Sequence, residues 1–202
     1  MRLPAAYLIV LTLLSLSCSK KKLPILGLRQ IENGDTIYAK TPDFSFLNQY
    51  GNRMDKSILE GQIHVANFFF TSCPTICPKT IRSMIRIAEH FKDHPKISYL
   101  NFSIDYKKDS VERLKSYYDK LQVSIKQFHL LHIPSMEEIK RVTEMYMSIA
   151  VEDPDAPGGF DHSGWLLLAD KDFHIRSYCL GTDDKEVDRF IEDIESLLDE
   201  ME

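Results

Sequence analysis

The 202-residue chain has no basic cluster in its body, and its 25 Lys and Arg are outnumbered by 30 Asp and Glu, for a formal charge of −5. Such a surface offers no footprint for a phosphate backbone, which argues against nucleic acid as a partner. There is no internal repeat and no low-complexity segment. Apolar residues make up 44% and charged residues 27%, an ordinary globular balance with enough chain for one core plus a tail. No apolar run is long enough to cross a bilayer. The apolar h-region near the N-terminus, Leu8 to Leu14, is broken by Thr12 and closes at Ser15-Leu16-Ser17-Cys18, short of the roughly 20 residues that a spanning helix needs. With Arg2 in front of it, this segment reads as a secretory signal. A distinct peroxidatic motif is also missing.

What is present is one abrupt change of pattern. Phe68-Phe69-Phe70 stops at Thr71-Ser72, and Cys73-Pro74-Thr75-Ile76-Cys77-Pro78 follows. Beyond Pro78 the apolar residues fall at helical spacing: Ile81, Met84, Ile85, Ala88 and Phe91. This predicts a buried strand, a tight turn and a helix, with the prolines in or just before the first helical turn. Four helical residues at about 1.5 Å rise set two Cα atoms roughly 6 Å apart on one face. That separation suits either a disulfide or a shared metal ion. A helix N-terminus also favours thiolate, which is both the nucleophile and the metal ligand. The stretch points to redox chemistry, soft-metal binding, or both, through Cys73 and Cys77.

Around it, Thr41 to Phe46 alternates and leads to a turn signal at Gly51-Asn52, predicting an N-terminal hairpin. Strands are expected over 63–70, 97–104, 128–133, 165–169 and 173–180. Helices are expected after Pro78, after an Asp109–Glu112 capping box, after a Ser135–Glu138 capping box and after Gly181-Thr182. The order β-α-β-α-β-α-β-β-α gives an α/β class with parallel pairing and a final antiparallel hairpin. It is the thioredoxin-like plan with an N-terminal hairpin and a central insertion. Among seven histidines, His64, His129, His132 and His174 fall in expected strands, and His90 and His94 near a helix end. His162 stands apart: it follows the breaker-dense loop 152–159 and precedes a core strand, on the loop that faces the redox helix in this plan. Cys179 reads as a buried thiol.

Two resemblances add to this. The end of the signal resembles that of a bacterial lipoprotein, in which Cys18 is acylated and becomes the mature N-terminus. The usual Leu three positions earlier is Ser15 here, with Leu16 one step later. The implied division is a signal peptide over 1–17, a tether over 18–40 and a thioredoxin-like domain over 41–200. The implied place is the bacterial cell envelope, lipid-anchored and facing the periplasm or the outside of the cytoplasmic membrane. Second, the Cys-Pro-x-x-Cys-Pro of 73–78, Phe102-Ser103-Ile104-Asp105 with Asp109, and Asp161-His162-Ser163 together resemble the Sco (SenC) family. That resemblance implies copper held by Cys73, Cys77 and His162. It further implies delivery to the CuA centre of cytochrome c oxidase, whose copper-bearing subunit is then the partner. Tyr106 departs from the family's usual Pro. Asp161 is expected either to orient the His162 ring or to cap the turn. The alternative function is that of a thiol–disulfide oxidoreductase reducing a periplasmic partner's cysteines through a redox-active Cys73–Cys77 pair. The CxxxC spacing preceded by Ser72, rather than CxxC preceded by Trp, weighs against that being the sole role.

Overall fold

A β-strand whose residues are apolar on both faces needs cover on both faces, and Ile63–Phe69 is buried at every position. The computed structural model, which describes residues 22–92 and 94–201, places that strand inside a seven-stranded sheet with helices against it. In chain order the strands are β1 Arg29–Glu32, β2 Asp35–Tyr38, β3 Ser45–Asn48, β4 Arg53–Asp55, β5 Ile63–Phe69, β6 Ile97–Ser103, β7 Phe128–His132, β8 Ala150–Glu152, β9 Phe160–His162, β10 Trp165–Ala169 and β11 Ile175–Leu180. The helices are α1 Cys77–His90, α2 Val111–Leu121, α3 Met136–Met145 and α4 Asp184–Asp199.

The main sheet has the order β11-β10-β5-β6-β7-β3-β4. Strands β5, β6 and β7 are parallel, while β10 runs antiparallel to β5 and pairs Ala169 with His64. Two poles follow. One holds the C-terminal ends of β5 to β7 and the start of β10. The other holds their N-terminal ends and the β10–β11 turn. Each helix presents one apolar stripe, as Ile81, Met84, Ile87 and Ala88 do in α1. The expected α/β, thioredoxin-like architecture is present, including the hairpin β3–β4, which extends the sheet beside β7.

Several local expectations are corrected. Helix α2 is capped by Ser110, whose hydroxyl accepts from the Arg113 amide; Asp109 is buried and used elsewhere. The breaker-rich stretch is the tip of a second small hairpin, β8–β9. Helix α3 stops at Met145 because Met147 has φ 53, a left-handed backbone that cannot continue the helix. The last strand begins at Ile175, since Phe173 has φ 70 and closes the turn.

Residues 22–40, within the stretch expected as a tether, are partly ordered onto the body. The Leu26 amide donates to the Ile175 carbonyl, and β1 pairs with β2 across Asn33-Gly34. The segment is held by Arg176, only 6% exposed. Its guanidinium reaches Asp170 at 3.0 Å, Glu200 at 2.8 Å and the carbonyls of Leu23 at 2.5 Å and Pro24 at 3.2 Å. Glu200 in turn accepts from the Leu23 amide at 2.9 Å. Truncation to Ala leaves the buried Asp170 carboxylate without its cation and removes the anchor that Glu200 and the Leu23 and Pro24 carbonyls share. Arg176→Ala is therefore expected to lower the unfolding free energy by about 3–5 kcal/mol, read from the urea midpoint. Cys18 and the signal segment lie outside the described residues. Among the described residues no helix is long and apolar enough to cross a membrane.

Candidate metal and redox centre

The aromatic run ends at the first pole, and the chain turns there. The Cys73 amide donates to the Phe70 carbonyl at 3.2 Å, which curls the backbone so that Cys73 sits under the start of α1. Cys77 is the first residue of that helix. Pro78 follows, where the missing N–H leaves no bond unmade. Ile76 caps the helix with no side-chain hydrogen bond. The amides of Thr75 and Cys77 instead favour the Cys73 sulfur as thiolate.

The turn is fastened from behind by Asp109, which is fully buried. Its carboxylate accepts from the Thr71 amide at 2.9 Å, the Thr71 hydroxyl at 2.5 Å and the Ser103 hydroxyl at 2.6 Å. Arg113 lies 3.4 Å from it. Thr71 is two residues from Cys73, so this cluster fixes where the sulfur lies.

His162 arrives from the β8–β9 hairpin, where it pairs with Ala150. The hairpin rests on Phe70, whose ring centroid is 5.3 Å from both Phe160 and His162. Gly158 makes this approach possible. A Cβ there would lie 2.7 Å from the Phe70 ring, and its φ of +88 is one that side chains avoid. Ser163 anchors the hairpin's exit through Ser148 at 2.7 Å, and Lys107 pairs with Glu152 at 2.7 Å. Tyr106, the departure from the family pattern, packs partly buried against the core with Lys107 over its ring.

The result is one cluster. The Cys73 and Cys77 sulfurs and a His162 nitrogen all lie within 4.8 Å of one another. The Cys77 Sγ to His162 Nε2 distance is 3.2 Å. Both thiols are free and buried. Asp161 is not brought to the imidazole: it is exposed, on the alternate face of β9, with no hydrogen bond to His162 among the described residues. Cys179 is buried in β11 and outside the cluster, its thiol pushed up to about 12 by burial.

The two thiols are unlike. Cys73 is held well below the ordinary thiol range, chiefly because the Cys77 thiol donates to it, aided by the amides of Cys77 and Thr75. Cys77 is pushed up, by that same donation and by burial. The first proton therefore leaves from Cys73. Between pH 8 and pH 6 a free thiol loses roughly a hundredfold in thiolate population. Alkylation of Cys73 in the reduced protein is expected to slow by less than threefold over that range, as followed by peptide mass spectrometry.

Two thiols and one imidazole, with no fourth His, Cys or carboxylate in the group among the described residues, form a soft, low-coordinate donor set. Zinc favours four ligands, or three and a water. A soft monovalent ion accepts three.

Comparison with known proteins gives a consistent result. The sequence profile of the SCO1/SenC family matches residues 34–199. A SCO1/SenC family lipoprotein from Bacillus anthracis superposes with a TM-score of 0.72 at 25% identity, over 79% of this chain and 95% of that one. BsSco, described as a member of the Sco family of cytochrome c oxidase assembly proteins with a disulfide switch, gives 0.69 at 25% identity, over 79% and 93%. ScoI from Bradyrhizobium japonicum, solved with copper bound, shares the fold with a TM-score of 0.61 at 22% identity, over 79% and 99%.

Proposed function

The chain belongs to the SCO1/SenC family, and from that premise we propose that it is a lipid-tethered copper carrier. It delivers copper to the CuA site of cytochrome c oxidase during assembly, from the outer face of a bacterial cytoplasmic membrane. The observation that carries this reading is the convergence of Cys73, Cys77 and His162 within 4.8 Å. Copper is cargo here rather than a resident cofactor. Cys73 is ready as thiolate, Cys77 gives up its proton as the ion enters, and His162 offers a neutral imidazole nitrogen. The imidazole comes from a different segment than the sulfurs. A partner's ligand can displace it first, and the ion then passes across by ligand exchange.

The test is a titration of the reduced protein with Cu(I) against a chromophoric chelator. One ion per chain is expected, with none bound once Cys73 and Cys77 are oxidised to a disulfide. Equal binding by the oxidised form would overturn the reading.

The inequality of the two thiols favours a second activity of the same reduced state. The Cys73 thiolate attacks a partner disulfide, and Cys77 resolves the mixed disulfide. Two electrons pass to the partner, which leaves as a dithiol, and a Cys73–Cys77 disulfide remains. This reaction does not need His162, so His162→Ala separates the two activities.

A further inference from the structure

The N-terminal segment is fastened to the end of the molecule that lies away from the cysteines. Leu23 and Pro24 are held by Arg176 and Glu200, beside Asp170. Asp170 follows Ala169, the partner of His64 near the start of β5, whereas Cys73 and Cys77 follow the end of β5. The strap and the sulfurs therefore occupy opposite poles.

The strap's pole carries a row of exposed lysines. Lys22 opens the strap and Lys92 follows α1, while Lys96 and Lys126 precede β6 and β7 and Lys171 sits in the β10–β11 turn. None of them has an ion-pair partner among the described residues. The exposed acids Glu60, Glu89, Asp172 and Asp199 share this pole, as does Glu200, which Arg176 engages, so the lysines hold only a small excess there. Lys20 and Lys21 adjoin Lys22 in the sequence.

We propose that this lysine-edged pole faces a surface of anionic lipid headgroups, so that the metal site points away from the membrane. The proposal rests on the lipid-anchored reading. From an acylated Cys18 to the strap at Lys22 the chain can reach at most about 14 Å. Strand β5 alone, with seven residues, is about 23 Å long. An inverted molecule, with its sulfurs at the bilayer, would need a leash as long as the sheet. Each lysine near an anionic leaflet adds attraction, which is lost beyond roughly 10 Å. The pole is thus held down by the short leash and by charge together. A copper acceptor must then meet the site from the aqueous side.

The experiment uses full-length protein isolated from bacterial membranes. It is reconstituted into phosphatidylethanolamine–phosphatidylglycerol vesicles containing a trace of dansyl-labelled lipid. In a Trp165→Phe background, Asp172→Trp reports on the strap's pole and Lys79→Trp on the pole of the cysteines; both replaced residues are exposed. Energy transfer to the dansyl headgroup is expected to be several-fold greater from position 172. The contrast should shrink in high salt and on changing Lys92, Lys96, Lys126 and Lys171 to Gln. Equal transfer from both positions in vesicle-bound protein, or greater transfer from position 79, overturns the orientation while leaving the anchor intact. Protein that fails to float with the vesicles removes the anchor, and the proposal with it.

Discussion

Cys77→Ser is expected to lower the affinity of the reduced protein for Cu(I) by about a thousandfold. Structural metal sites with four ligands bind with about 10–16 kcal/mol, or about 2.5–4 kcal/mol per ligand. A three-donor set has no spare member to compensate. Cys77 is 1% exposed at the first position of α1, and a serine hydroxyl fits the same space and retains a donor towards Cys73. The fold and the low-pH reactivity of Cys73 should therefore survive, while the intramolecular disulfide cannot form. Chelator competition and mass spectrometry of the oxidised protein read the two losses separately. Unchanged affinity would place the ion elsewhere.

His162→Ala is expected to weaken Cu(I) binding by about a hundredfold, at the lower end of that same per-ligand range. The loss is smaller than for Cys77 because the two sulfurs can still hold the ion as a dithiolate pair. The imidazole is only half-buried at the end of a three-residue strand. Its removal should move the unfolding free energy by no more than about 1 kcal/mol. Reduction of a disulfide substrate should continue. A variant that keeps full affinity would remove His162 from the site and leave the thiol reaction as the better account. A variant that loses both activities would point to collapse of the hairpin on Phe70 instead.

The strand, turn and helix around Cys73 and Cys77 were legible in the sequence because the apolar pattern changes period there, from continuous to three-and-four spacing. His162 could be singled out by its place after a breaker-rich loop, but not the way it reaches the sulfurs. Strands of three residues, as β8 and β9 are, leave no period to read. The contact of Gly158 with Phe70 spans 88 positions and has no local signature. Asp109 was hidden by a more ordinary use: an acid just before a helix reads as a cap. In the structure Ser110 takes that role, and the carboxylate turns inward to fix Thr71. The strap was hidden for a similar reason. Nothing in the pattern of 173–180 announces that Arg176 is buried between Asp170 and Glu200, since the partners that make its burial tolerable come from distant elements. Asn33-Gly34 is a strong hairpin signal, but it falls within the stretch expected as a tether because its flanks have little apolar alternation.

X-ray absorption at the copper edge of the reduced, singly loaded protein tests the central claim most directly. The ion should be surrounded by two sulfur scatterers and one imidazole nitrogen, with the nitrogen lost in His162→Ala. A sulfur-only shell in the unaltered protein, or a nitrogen signal that persists in the variant, would contradict the assembly of Cys73, Cys77 and His162 around one soft ion.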